Sequence, residues 1–316
     1  MTRAVVFAYH DVGVRCLKVL LAQGVDVGLV VTHADSPSEQ IWFDSVARTA
    51  AAYGLPVITP ADANDEATFA AVAACRPRML FSFYFRQMLA PRLLELAAGG
   101  AYNLHGSLLP RYRGRVPVNW AVLHGETQTG ATLHVMQAKP DRGAIVAQQA
   151  VPILPDDTAG EVFGKVVVAA EIALHGCLPA LLAGTAPMRE QDQSQASYFG
   201  GRGPEDGRID WSHGAEQIHN LVRAVAPPYP GAFCDHAGHR LRLLRTLRVP
   251  PRTQVAVPEG FERGLFSAQG ALFARAGDGT LLRVLAADLD GQPLDARLFH
   301  ERFGAHLSFD SRKTAS

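Results

Sequence analysis

The stretch AVVFAYHDVGVRCLKVLLAQGVDVGLVVT, residues 4–32, decides the fold. Its apolar run at 4–9 has the length and β-branched content of a buried strand. Residues 14–23 then set Val14, Leu17, Leu20 and Leu21 on one helical face until Gly24 stops the helix. A second apolar run, 25–32, is strand again. The alternation continues with a helix over 42–53 ended by Gly54, a short strand at 55–59, a helix around 67–74, a strand at 79–83, a helix over 90–97 and a strand at 101–104. Strands that alternate with helices at this spacing need crossover connections, so they lie parallel with helices on both faces. The pattern predicts an α/β domain built on an open, doubly wound, mostly parallel sheet, whose ligands bind outside the carboxyl ends of the strands.

Two further strands, 130–136 and 144–153, read as an antiparallel hairpin around the turn KPDRG, which carries Asp141. An amphipathic helix over 158–182 follows, opened by the capping residues Asp156, Asp157 and Thr158. The polar stretch 185–197 reads as a linker, and a helix at 218–225 is broken by PPYPGAF at 227–233. Short alternating strands with Gly and Pro turns complete the chain as a small β-barrel. This gives an N-terminal domain over 1–186, a linker over 187–204 and a C-terminal β-barrel-like domain over 205–316.

Composition excludes several classes. With 316 residues and 48% hydrophobic residues, the chain can bury a core in each domain. Thirty basic residues balance thirty acidic ones, so no net field draws the chain to nucleic acid or an anionic membrane. Cys16, Cys75, Cys177 and Cys234 are widely spaced, match no metal or disulfide pattern, and read as reduced packing residues. The N-terminus enters a strand pattern at once and no apolar run approaches the roughly 18 residues of a membrane helix, so the cytoplasm is the expected location. Nothing predicts an oligomeric state. No H-E-x-x-H, G-x-S-x-G, phosphate loop or G-x-G-x-x-G occurs.

The chemistry concentrates in YNLHGSLLPRYRGRVPVNW, residues 102–120. Asn103 and His105 have period-two spacing at a strand end, so their side chains share a face. Such a pair either satisfies nearby carbonyls or offers two donors to an oxyanion. Asp141 could hold His105 charged, or could simply be turn chemistry. Arg111, Arg113 and Arg115 form either a solvated loop or a rigid lip for a carboxylate or phosphate. Pro117 and Val118 before Asn119 and Trp120 look like a helix start. The run FSFYF at 81–85 reads as core strand, and His124, His134 and His175 as packing or surface histidines.

Asn-x-His followed by SLLP and RYRGR, with an Asp-x-Gly turn downstream, resembles the formyltransferases that use 10-formyltetrahydrofolate. VVFAYHDVG, FSFYFRQML, GETQTGATLH, GAIVAQ, SYFGGRGPEDGRIDW and HNLVRAVAPPYPGAF resemble the branch acting on UDP-4-amino-4-deoxy-L-arabinose, covering about residues 3–235. The resemblance implies a Rossmann-like catalytic domain, a formyl-folate donor and a UDP-amino sugar acceptor, in lipid A modification and hence polymyxin resistance. It implies a catalytic group of Asn103, His105 and Asp141 and donor contacts at Gln87, Met88, Leu89, Arg115, Gln137, Ala138, Lys139, Pro140 and Asp141. No metal, nucleic acid or membrane insertion is expected. Tyr9, His10, Asp11 and the PPYPGAF turn are candidates for holding the acceptor. The alternatives left open are a methionyl-tRNA formyltransferase and a non-catalytic folate-binding protein.

Overall fold

The computed structural model describes residues 3–36 and 41–309; the outermost residues of the two expected domains, 1–2 and 310–316, lie outside them. The opening stretch forms β1 (Arg3–Ala8), α1 (His10–Ala22) and β2 (Asp26–Val31). After α2 (Val46–Ala52) come β3 (Val57–Ile58), α3 (Glu66–Ala74), β4 (Met79–Phe83), α4 (Pro91–Leu94) and β5 (Ala101–His105). The short β6 (Arg113–Gly114) and α5 (Pro117–Leu123) lead to the hairpin β7 (Gln128–Val135) and β8 (Ile145–Pro152), then α6 (Ala159–Leu182) and β9 (Tyr198–Phe199). The seven-stranded sheet has the order β3-β2-β1-β4-β5-β7-β8. Its first five strands are parallel, and β7 and β8 join antiparallel. Val5, Phe7, Leu29, Val31, Leu80 and Ala101 from four of these strands share one core with Val72 and Leu93.

Local chemistry sets the element ends. α1 starts four residues earlier than the apolar pattern shows, so His10 and Asp11 sit in its first turn rather than in a loop after β1. α2 starts at Val46, where Ser45 caps it by accepting the Arg48 N–H at 3.3 Å, so Trp42 lies outside the helix. α4 is a single turn rather than a helix over 90–97.

The chain divides into two compact units, and the second includes 118–127, 153–162 and 201–316. The segment expected as a linker, 187–204, is instead mostly part of the first unit: Arg189 bridges to Ile145, and β9 pairs with β6. In the second unit, β10 (Ala232–His236), β11 (His239–Arg248), β12 (Gly264–Ala268), β13 (Ala271–Arg275), β14 (Leu281–Leu289) and β16 (His306–Ser308) form an antiparallel sheet. Its order is β10-β11-β14-β13-β12-β16, with β15 (Gln292–Pro293) paired to β14. Its end strands are not bonded to each other, which makes a half-barrel. The helices α7 (Ala215–Val225) and α8 (Ala296–Phe303) bury Ile218, Val222 and Phe299 in its core. Among the described residues one helix, α6, is long and apolar enough to cross a bilayer, but Val162, Val166, Ala170, Leu174 and Leu178 along it are buried in the fold.

Candidate active site

Asn103 and His105 lie near and at the carboxyl end of β5 and point to one face, as period two requires. The antiparallel register of β7 sets His134 opposite Asn103 and Thr132 opposite His105. Thr132 ties the loop after β5 to β7: its hydroxyl donates to the Ser107 carbonyl at 2.6 Å and accepts the Leu109 N–H at 3.1 Å. Asp141, in the turn between β7 and β8, closes the group.

The Asp141 Oδ1 lies 3.6 Å from His105 Nδ1 and 3.5 Å from His134 Nε2, and its Oδ2 accepts the Gly114 N–H at 2.9 Å. Burial alone would raise this carboxyl, but His105 beside it, the neighbouring His134 ring and the Gly114 N–H hold it well below the usual carboxylate range. The His105 Nε2 faces the Tyr112 carbonyl at 2.8 Å. Both His105 nitrogens therefore face acceptors, an arrangement the doubly protonated ring satisfies. To offer an N–H to a substrate, the ring has to release the Tyr112 carbonyl.

His134 was expected to be a packing or surface residue, and the structure places it inside the group. Its Nδ1 lies 2.9 Å from the Val135 carbonyl and its Nε2 3.1 Å from Asn103 Nδ2. With the proton on Nδ1, donated to that carbonyl, Nε2 is an acceptor and takes one Asn103 N–H. The second Asn103 N–H has no partner among the described residues. Strand pairing carries the signal for His134: a residue directly opposite Asn103 on the next strand must share its face.

The arginines separate. Arg111 stacks on Tyr112 at 5.6 Å and Arg115 is exposed, whereas Arg113 is buried on Gln191 and Gln193. Arg113 is thus no part of a solvated lip. Asn119, one turn into α5, donates to the Ala224 carbonyl at 2.8 Å.

Gln137, Ala138 and Lys139 line a cleft of about 420 Å³ together with Arg142, Glu190 and Gln193. Of the other expected donor contacts, Met88 is exposed, whereas Leu89 is buried in the core. The Gln87 side chain is committed to backbone, accepting the Ala63 N–H at 2.7 Å and donating to the Ala61 carbonyl at 2.8 Å. Any contact from Gln87 is therefore through its main chain. Tyr9 and His10 are also buried, His10 stacking on Phe43 at 3.8 Å, and Asp11 accepts the Asp44 N–H at 2.8 Å. FSFYF splits: Phe81 and Phe83 are core, and Phe85 stacks on His33 at 4.1 Å.

A Cβ on Gly143 would meet the Val135 carbonyl oxygen at 1.9 Å, backbone that cannot yield. Gly143→Ala is expected to destabilise the protein by about 1–3 kcal/mol, read as a lower urea midpoint with an unchanged slope.

The fold is thus a doubly wound α/β sheet with a histidine–carboxylate cluster near the carboxyl end of β5. The chain belongs to the formyl transferase family: that family's model matches residues 14–178, and the model of its C-terminal domain matches 203–303. Among solved structures, it resembles an N-formyltransferase from Helicobacter canadensis, in complex with folinic acid and dTDP-3-aminofucose. That likeness has 18% identity and a TM-score of 0.69, covering 93% of this chain and 100% of the other. A sugar N-formyltransferase from a Shewanella species matches at 19% identity and a TM-score of 0.60, over 77% of this chain and 96% of its own. HypX from Aquifex aeolicus, in complex with tetrahydrofolic acid, matches at 14% and 0.63, over 99% of this chain and 50% of its own. At these identities the likenesses establish a shared fold.

Proposed function

We propose that the protein transfers a formyl group from 10-formyltetrahydrofolate to the 4-amine of UDP-4-amino-4-deoxy-L-arabinose, with Asn103, His105 and Asp141 as catalytic residues. The observation that carries the reading is the convergence of Asn103, His105, His134 and Asp141 at the strand ends. A donor amide, an imidazole and a buried carboxylate can supply the oxyanion donors and the proton carrier that attack by an amine on a formyl carbon uses. The solved relatives that hold folinic acid and a nucleotide sugar support the two substrate classes.

The cleft next to the Asp141 turn, about 420 Å³, has the size of a small-molecule site, since ligand pockets commonly span about 300–1,000 Å³. Gln137, Ala138, Lys139 and Pro140 would hold the donor there, with Met88, Arg115 and the main chain of Gln87 and Leu89 as further contacts. The donor supplies a formyl group on a nitrogen able to leave as an amine. The neutral sugar amine bonds to the formyl carbon, and Asn103 gives its second N–H to the oxygen that becomes negative. His105, charged against Asp141, gives a second hydrogen bond once it leaves the Tyr112 carbonyl, passes its proton to the donor nitrogen as that C–N bond breaks, and regains one from the attacking amine. Asp141 remains ionised throughout. With this acceptor the product would be formed in the cytoplasm and would feed lipid A modification.

The test is a transfer assay with 10-formyltetrahydrofolate and, in separate reactions, UDP-4-amino-4-deoxy-L-arabinose, another amino-sugar nucleotide, and charged initiator tRNA. The aminoarabinose nucleotide is expected to gain the formyl group fastest. Preference for a different amino sugar corrects the acceptor. Formylation of the tRNA alone overturns the reading, and no product with any acceptor leaves a folate-binding protein.

A further inference from the structure

The segment expected as a linker brings a buried amide against the Asp141 turn. Gln191 is 6% exposed and Arg113 3%. The Gln191 Oε1 accepts from Arg113 Nη2 at 2.7 Å and Nε at 3.2 Å, and Arg113 Nη1 donates to Gln193 Oε1 at 3.0 Å. The Gln191 Nε2 donates to the carbonyls of Asp141 at 2.9 Å and Gly143 at 2.7 Å. Every hydrogen-bonding group of that amide is therefore used. Its orientation is fixed by chemistry as well, because the reversed amide would set an oxygen against two carbonyls and an NH₂ against a cation.

Asp141 needs such a hold. It adopts φ +55°, a left-handed conformation that a non-glycine residue keeps only when its surroundings determine it. Arg113 and Gly114 are consecutive residues of β6 and grip it from two sides. The Gly114 N–H holds the carboxylate, and the Arg113 guanidinium, through Gln191, holds the carbonyl. β6 itself is fixed by pairing with β9.

The geometry points to Gln191 as a positioning residue of the formyl-transfer site: its two N–H donors fix the 141–143 turn so that the Asp141 carboxylate stays aimed at His105 and His134, and Arg113 fixes the amide. This rests on the proposed function for the role of Asp141, but not for the wiring. The titratable and charged groups around Asp141 are His105 from β5, His134 from β7, Arg113 from β6 and Arg142 from its own turn. Burial pushes the Arg113 guanidinium down; the Arg142 charge adds to this and the Asp141 charge opposes it. A rival role for Gln191 is therefore simply to answer a buried cation.

Two variants of the full chain separate these roles. Gln191→Glu keeps two acceptors for Arg113 and adds a counter-charge, but has no N–H for the two carbonyls. Gln191→Met keeps the volume and makes neither set of bonds. In both, kcat is expected to fall at least about tenfold, because small misplacements of a reacting group carry large rate penalties. The acceptor KM should stay within about threefold of wild type, since the turn is not being asked to bind the sugar. The NMR titration of the Asp141 carboxyl carbon, recorded without substrates, should move up towards the ordinary carboxylate value in both variants. Cooperative urea unfolding of both variants, with midpoints well above the assay conditions, shows that each is folded when it is assayed. Wild-type kcat in Gln191→Glu, or an Asp141 titration that does not move, overturns the proposal. If the wild-type protein transfers no formyl group to any acceptor, the titration still decides the wiring while the proposed function fails.

Discussion

Asp141→Asn is expected to lower kcat on the order of 10²–10⁴-fold, the range that general acid–base groups contribute, while leaving the fold intact. Asn is isosteric, and its Oδ1 can still accept the Gly114 N–H that the carboxylate accepts at 2.9 Å. The charge is what disappears. His105 Nδ1, 3.6 Å from Asp141 Oδ1, then faces a neutral amide in place of a carboxylate. Positive charge that the transfer step places on that ring loses its counter-charge, and the donor for the oxyanion and the leaving nitrogen is weakened. Single-turnover rates with saturating substrates would show this directly. A variant within about threefold of wild type would remove Asp141 from the mechanism.

The same substitution carries a stability signature. The Asp141 carboxyl titrates well below its ordinary value in the folded protein, so the folded state holds the ionised form more tightly than the unfolded chain does. The resulting stabilisation is fully present above the unfolded value of about 3.9 and is lost as pH falls through the depressed folded value. Asn has no such contribution at any pH. The difference in urea midpoint between wild type and Asp141→Asn is therefore expected to be largest near neutrality and to shrink below about pH 4. A pH-independent difference would mean that the carboxylate is not stabilised by its surroundings.

Which of these groups can be read from the chain depends on how local their contacts are. The parallel sheet is legible because buried strands such as AVVFAY and MLFSF are continuous apolar runs, and helices fill the spaces between them. The Asn103 and His105 pair is legible as a polar interruption at a strand end with period two. Asp141 reaches them only through closure of the β7–β8 hairpin, so resemblance pointed to it where local pattern could not. His134 looks like one more alternating position in TLHV, and its place beside Asn103 follows from a register that only the folded sheet fixes. Arg113 and Gln191 mislead for a different reason. A charged residue in RYRGR and an amide in EQDQSQ carry solvent-facing priors, and burial comes from each satisfying the other. α1 also begins earlier than its pattern, since His10 takes φ +66° and lets the helix start directly behind β1.

Asn103→Ala is the second large effect, an expected loss of about 10²–10³ in kcat, as for removal of one oxyanion donor. The Asn103 amide is held by its strand neighbour: one N–H goes to His134 Nε2 at 3.1 Å, and His134 in turn is fixed by the Val135 carbonyl at 2.9 Å from Nδ1. If His134 serves only to aim this amide, His134→Ala should cost less than Asn103→Ala, on the order of tenfold, because the donor remains but is no longer fixed. The double variant should then be no slower than Asn103→Ala alone, since an orienting residue has nothing left to orient. Additive losses in that cycle would give His134 a role of its own, through the 3.5 Å approach of its Nε2 to Asp141, as a second proton carrier beside His105. The two outcomes also differ in pH dependence. A purely orienting His134 leaves the kcat–pH profile of the Asn103→Ala background unchanged when it is removed, whereas a proton carrier takes one limb of that profile with it.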